Sequence, residues 1–242
     1  CGGDRMTAAS PPIYLDHNAS TPILPEVLDA MLPFLRDHFG NPSSSHLYGT
    51  TLRDAVERAR TQVARLIGCD TGEVFFTSGG TEANNLAIRG VAAARPDRRT
   101  IVTSVIEHPA TVGPCAYLER QGFSVTRVPV DGSGRVLPAA VADALTPDVA
   151  LVTIMYANSE TGTLQPLPEL VEMAHAVGAM VHTDAAPACG KIAVSVNDDG
   201  VDLMSIAGHK LYAPQGVGAL FVRSGTPIEP LVLGAGHERG LR

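Results

Sequence analysis

Apolar and polar residues change rhythm along this chain, and the changes mark out its elements. After a polar stretch reading IYLDHNASTP, residues 25–37 (PEVLDAMLPFLRD) carry apolar side chains at helical spacing. Residues 51–67 (TLRDAVERARTQVARLI) do so more strongly. That spacing predicts an amphipathic helix with Leu52, Val56, Ala59, Val63 and Leu66 on one side. From residue 73 a regular alternation begins. EVFFTS (73–78), TIVTSV (100–105), FSVTRVPV (123–130), VALVTIMYA (149–157), AMVHTDA (179–185), VDLMSIA (201–207) and GVGALFV (216–222) read as short strands. Between them, TEANNLAIRGVAAA (81–94), ATVGPCAYLERQ (110–121), PAAVADAL (138–145) and LPELVEMAHAVG (167–178) read as helices.

Strands alternating with helices predict βαβ units and a mainly parallel sheet covered on both faces, a three-layer α/β/α fold of the α/β class. In such sheets ligands bind beyond the carboxyl ends of the strands. The residues just after the strands are chemically rich: SGGTE, EHPAT, NSETG, DAAPACG and GHK. Polar groups from separate strand ends are therefore expected to converge on one place.

Composition narrows the function classes. The chain of 242 residues is 45% hydrophobic and 18% charged, which suits a globular protein with a full core. A net charge of −7 without a basic run argues against a nucleic-acid partner. No apolar run reaches membrane-spanning length, and CGGDRMTAAS has no signal-peptide hydrophobic region, so a cytoplasmic protein with no membrane partner is expected. Met6 is an alternative start, with Cys1–Arg5 a leftover. Cys1, Cys69, Cys115 and Cys189 form neither a close pair nor a metal-type spacing, and all four are expected as packed thiols.

At the strand ends, Gly79 and Gly80 permit close backbone approach, and Thr81 adds a hydroxyl at a helix start, where free amides favour an anion such as phosphate. The plainer reading is a threonine-capped turn. Neither a Walker A loop nor a GxGxxG fingerprint is present, so a dinucleotide is not favoured. Asp184 either caps a helix or pairs with a cationic ring nitrogen, which would keep both charged. His108, just before a helix-starting proline, reads as a cap or a flat ring in a site, and Asn158 as a turn residue. Lys210 ends an apolar strand, where an amine is costly unless used. A lysine of lowered pKa forms Schiff bases with carbonyls. Phosphate cradle, ring-nitrogen carboxylate, imidazole and imine-forming lysine together fit pyridoxal phosphate. A metal hydrolase built on His108, Asp184 and His209 lacks any compact ligand motif, and no metal is expected.

These residues sit in stretches that resemble the cysteine desulfurase and selenocysteine lyase family, class V aminotransferase-like enzymes of pyridoxal phosphate fold type I. The matching stretches are YLDHNASTP, GNPSSSH, FTSGGTEANNLAI, EHPA, NSETG, HTDAA, GHKLYAPQGVGAL and GAGHERGLR, in family order. The resemblance implies Lys210 as the Schiff-base lysine, Asp184 on the pyridine nitrogen, and His108 stacked on the ring and assisting proton transfer. It implies Gly80, Thr81 and His209 on the phosphate, and Asn158 near the ring hydroxyl. The implied reaction takes L-cysteine to L-alanine and passes sulfur to an acceptor protein through an enzyme cysteine. The partners implied are L-cysteine or L-selenocysteine and a second copy of the chain in a homodimer. Selenocysteine lyase and a non-catalytic dimerisation module are the alternatives. Pro187 stands where the family usually has a glutamine that donates to the ring hydroxyl, and proline has no donor. Ala207 stands where many members have a phosphate-binding serine. The expected organisation is a tail (1–12), a segment of a small domain (13–25) and a cofactor-binding large domain (26–242). The C-terminal remainder of the small domain, with the sulfur-accepting cysteine loop and the substrate-carboxylate arginine, is expected to be missing after Arg242.

Overall fold

A computed structural model describes residues 12–242; Cys1 and Met6 lie outside them. The strands are β1 (Val74–Thr77), β2 (Thr100–Ser104), β3 (Ser124–Val128), β4 (Val149–Thr153), β5 (Met180–Asp184), β6 (Leu203–Ala207) and β7 (Gly218–Val222). They form one seven-stranded sheet in the order β1-β7-β6-β5-β4-β2-β3. Strands β2 to β6 pair in parallel, whereas β7 runs antiparallel to both β6 and β1. The reversal follows from the short link between β6 and β7, which has no room for the helical crossover that a parallel pair needs.

Side chains alternate across the sheet. In β7, Ala219 and Phe221 join one core while Leu220 and Val222 join the other. One face is covered by α3 (Gly80–Ala94) and α4 (Pro109–Arg120), whose Leu86, Ile88, Val91 and Leu118 are buried. The other is covered by α2 (Leu47–Ile67), α5 (Pro138–Ala144), α6 (Leu167–Ala176) and the short α7 (Val196–Asp199). The expected three-layer α/β/α arrangement is thus present. FSVTRVPV stops as a strand at Val128, because Pro129 brings no N–H to the ladder. VALVTIMYA stops at Thr153, yet the amides of Ile154 and Tyr156 still donate to His182 and Asp184 of the neighbouring strand.

Two helix expectations are corrected. The helix read at 51–67 begins at Leu47, and its fully buried positions are Gly49, Arg60, Ala64 and Ile67. Leu66, assigned to the core side, is 44% exposed, while Arg60 is only 4% exposed. The helix is turned toward the edge of β1 by that arginine. Its guanidinium donates to Val74 O at 2.7 Å and grips Glu238 through Nη1 at 2.6 Å and Nη2 at 3.0 Å. The helix read at 25–37, α1 (Pro25–Arg36), buries no residue. Leu28, Phe34 and Leu35 stay exposed, as do Ile13, Leu15, Phe39 and Leu47.

Glu238 and Arg239 close the free edge of β1. Glu238 accepts from Phe76 N at 2.8 Å, and Arg239 donates to the carbonyls of Thr71, Gly72 and Val74. Both residues have left-handed backbones, at φ 47° and 56°. Such a conformation in two successive non-glycine residues persists only where surrounding contacts over-determine it. The strand edge is thereby paired with side chains rather than left open.

Candidate active site

Beyond the carboxyl ends of the parallel strands lies a cavity of about 860 Å³. Gly80, Thr81, His108, Asp184, His209 and Lys210 all line it. They come from four separate strand ends, those of β1, β2, β5 and β6, so the convergence expected of the strand ends is present.

The wall after β1 is a glycine turn. Gly79 has φ 152°, a backbone that residues with a side chain rarely adopt, and it caps the start of α3. The cap is not a threonine side chain: Thr81 is the second residue of the helix, and no side chain caps its first turn. The amides opening this 15-residue helix have no acceptor within it and form the positive end of its dipole. Gly218 makes the turn possible. A Cβ there would meet the Gly79 Cα and C atoms and Ile206 O, all at 2.7 Å.

Glu82 follows in the first turn, accepting from Ser78 N at 2.8 Å and from Arg242 Nε at 2.7 Å. Burial works to raise its carboxyl, but the Ser78 and Arg242 hydrogen bonds outweigh it and hold it below the ordinary value. The glycine turn is therefore tied to the segment that closes the β1 edge.

Asp184, at the end of β5, is buried with both oxygens engaged. Oδ1 accepts from Ala186 N at 3.0 Å and Oδ2 from Asn84 Nδ2 at 2.9 Å. Asn84 also donates to Gly80 O at 2.9 Å, so one amide links the carboxylate to the glycine turn. Sequence reasoning missed Asn84. Its signal was present: it shares a helix face with Ala87, Ile88 and Val91, and a polar residue on an apolar face needs a partner.

His108 is both a cap and a lining residue. Its Nδ1 accepts from Ala110 N at 3.1 Å, which leaves Nε2 to carry the proton of the neutral ring. Glu107 beside it was also missed. Its Oε1 lies 2.5 Å from Ser104 Oγ and accepts from Met155 N at 3.1 Å. Burial pushes this carboxyl up to about 8; the two hydrogen bonds oppose the shift, and the nearby Asp184 charge adds to it.

Lys210 ends a single 3-10 turn, Gly208–Lys210, that follows β6 directly. Burial lowers its ammonium pKa; Asp184 opposes that, Lys191 reinforces it, and Asp16 and Glu160 oppose it more weakly. Burial likewise lowers His209, helped by the charge of Lys210 and by His108. Asp16, Asn18 and Ser20 also line the cavity, which sequence reasoning did not foresee. Lys191 holds that segment in place by donating to His17 O and Asn18 Oδ1.

Asn158 is the expected site residue that does not line the cavity, although Ala157, Ser159 and Glu160 around it do. Its Oδ1 accepts from the amides of Glu160 and Thr161 at 2.9 and 3.1 Å, the turn alternative read from its sequence. Pro187 lines the cavity, whereas Cys189 is buried and does not line it. Among the described residues, Cys115 and Cys189 are buried and Cys69 is half-buried. Burial pushes each of these thiols up to about 12. No group of three or more His, Cys, Asp or Glu among the described residues is arranged to hold a metal ion.

The family model for aminotransferase class V matches residues 13–239. The chain belongs to the aminotransferase class V family. Among the relatives of this class V chain is a cysteine desulfurase of Cereibacter sphaeroides, 50% identical over 95% of this chain and 60% of that protein. The cysteine desulfurase NifS of Azotobacter vinelandii is 45% identical over 95% of this chain and 58% of its own length. A solved NifS-like protein superposes with a TM-score of 0.92 at 40% identity, covering 95% of this chain and 64% of that one. A structure described as SspA in complex with cysteine gives 0.91 at 39% identity, over 95% of this chain and 67% of that one. The class V chain thus spans about 60% of the length of the curated relatives it matches. The fold is that of the pyridoxal phosphate enzymes of fold type I. Among the described residues no helix is long and apolar enough to cross a membrane.

Proposed function

We propose that this chain is the cofactor-binding part of a pyridoxal phosphate-dependent cysteine desulfurase, with residues 26–242 as the large domain and 13–25 as the small-domain segment crossing its mouth. The observation that carries the proposal is one cavity shared by a half-buried lysine after β6, a buried carboxylate at the end of the adjacent β5, and a glycine turn opening α3. That donor set suits a phosphorylated pyridine aldehyde: helix-start amides for the phosphate, a carboxylate for a ring cation, an amine for a carbonyl.

Gly80, Thr81 and His209 would hold the phosphate. Asp184, oriented by the Asn84 side-chain amide and Ala186 N, would face the ring nitrogen and pair with its proton. His108, with its proton on Nε2, would stack on the ring and exchange protons with the substrate. Lys210 supplies the amine, and its lowered pKa raises the fraction that is neutral and nucleophilic. Asn158 would reach the ring hydroxyl only by leaving its turn. Pyridoxal phosphate, when bound, supplies an electron sink for charge developing on an amino acid.

The substrate proposed is L-cysteine, consistent with the desulfurase relatives and with the cysteine named for the SspA structure. Cys69, Cys115 and Cys189 are unsuited to accept its sulfur, because thiols held near 12 offer almost no thiolate at neutral pH. A second copy of the chain would cover the exposed apolar side chains of α1 and its flanks.

The test is the visible spectrum of the chain mixed with pyridoxal phosphate, followed by borohydride reduction and peptide mapping. The expected result is a visible band absent from Lys210→Ala, with the reduced label on Lys210. A folded chain with no band, or a label spread equally over Lys191 and Lys210, refutes the proposal.

A further inference from the structure

The turn that carries Lys210 is held from outside by the 21–24 segment, above all by Thr21, 188 positions from His209 in sequence. Within the turn, Gly208 N donates to Val217 O at 3.0 Å, and Leu211 N and Ala213 N donate to Gly208 O at 2.8 and 3.1 Å. Those bonds leave the His209 carbonyl and the Tyr212 amide, on either side of the lysine, without partners in the turn itself. Thr21 takes both. Its amide donates to His209 O at 2.8 Å, its hydroxyl donates to the same oxygen at 2.9 Å, and that hydroxyl accepts from Tyr212 N at 2.8 Å. Thr21 is 7% exposed, so water does not compete for these bonds.

We infer that Thr21 is a positioning residue for Lys210: its hydroxyl bridges His209 and Tyr212 and so sets the backbone from which the lysine amine enters the cavity. The bridge needs a donor and an acceptor on one atom, which a hydroxyl provides and an apolar isostere does not. Tyr212 shows why a bridge is needed. Its φ of 59° is left-handed, an unfavourable conformation for an aromatic residue. A strained residue two positions after Lys210 relaxes unless it is held, and the Thr21 hydroxyl holds its amide while Leu24 N holds its carbonyl at 3.2 Å. Pro22 stiffens the clasp, since a residue before proline is confined to extended backbone. The small-domain segment expected at 13–25 thereby acquires a task at the reacting amine, and YLDHNASTP a reason to accompany GHKLYAPQGVGAL.

The inference rests on Lys210 being the reacting amine, but its test reads that amine without cofactor, so the two readings fail separately. Lys210 would be acetylated competitively over a pH series in the wild-type chain, Thr21→Val and Thr21→Ser, with a free amino acid as standard and mass spectrometry as readout. Amide hydrogen exchange at Tyr212 would be followed in parallel. The groups whose charges bear on the amine are Asp184, Lys191, Asp16 and Glu160, and none of them is altered.

Thr21→Val is expected to release the turn toward solvent. The Lys210 midpoint then moves up by about half a pH unit, on the order of a threefold loss of neutral amine at fixed pH. Tyr212 loses its amide protection. Thr21→Ser, which keeps the hydroxyl, is expected to restore both. A folded Thr21→Val with the wild-type Lys210 profile overturns the inference, as does a Thr21→Ser that behaves like valine. If Thr21→Val does not fold, the other two chains decide: a protected Tyr212 amide and matching Lys210 profiles in both support the clasp, and an unprotected amide in the wild type overturns it.

Discussion

Replacing Arg60 with methionine removes the buried cation that pairs with Glu238 and helps hold the 236–242 segment against the sheet edge. The guanidinium side chain is 5% exposed and its partner Glu238 14% exposed, so both ends of the pair are shielded from water. The variant loses two bonds to Glu238 and one to Val74 O, and it leaves Glu238 with the Phe76 amide alone. Removing one partner of a buried pair costs about 3–5 kcal/mol, because the remaining charge stays uncompensated. The second Arg60 contact, to the half-exposed Glu57, adds little. For a chain of this size the loss corresponds to a fall of roughly 6–20 °C in Tm.

The assay is urea unfolding followed by circular dichroism, for Arg60→Met, Glu238→Gln and the double variant. The double variant is expected to recover part of the loss, since it buries no unpaired charge. Acid should weaken the pair in the wild type. Burial alone would raise the Glu238 carboxyl, yet the Arg60 and Phe76 bonds outweigh it and hold it below the ordinary 4.5. That contribution is complete above 4.5 and is lost as pH falls through the depressed native value. A single-variant cost below about 1 kcal/mol, or no coupling in the cycle, would refute the reasoning.

Other outcomes follow from the same geometry. Glu107 is pushed up to about 8 from 4.5, so the native state holds its proton more tightly and this stabilisation declines as pH rises between those values. His182, buried between Thr153 and Ser205 and lowered to about 3, acts in the opposite sense below 6.5. The difference in unfolding free energy between wild type and Glu107→Gln isolates the first effect, and it is expected to change by at most about 1.4 kcal/mol per pH unit. Asn84→Ala is expected to cost about 1–3 kcal/mol by stripping a buried donor from Asp184. Asn84→Asp should cost more than Asn84→Ala in denaturant titrations at neutral pH, since a second carboxylate then faces the first. Gly218→Ala is expected to cost about 1–3 kcal/mol and to weaken pyridoxal phosphate binding in a fluorescence titration, because its Cβ meets only backbone atoms.

Much of this protein could be read along the chain because its signals are local. A strand buried on both faces must be a short apolar run, and a helix on a sheet must repeat its apolar residues every three to four positions. Those two rules were enough to find every strand of the sheet and the helices from α1 to α6. Because parallel strands all point one way, the same reading also brought SGGTE, EHP, DAA and GHK to one end. Lys210, Asp184, His108 and the glycine turn were thus expected together before any contact was known.

The structure decided what depends on partners distant in sequence. Arg60 reads as an exposed helix charge until Glu238, 178 positions away, turns it into the anchor of a strand edge. Asn84 reads as helix filler until Asp184, 100 positions on, takes its amide. Asn158 carries the right residue type in the right loop, but competition from its own turn amides decides where its oxygen goes. Thr21 carries no local signal at all, since its hydroxyl matters only against a turn at the other end of the chain. Periodicity reports which face of an element avoids water; it does not report which polar group waits on the other side, and that pairing is settled only when the chain has folded.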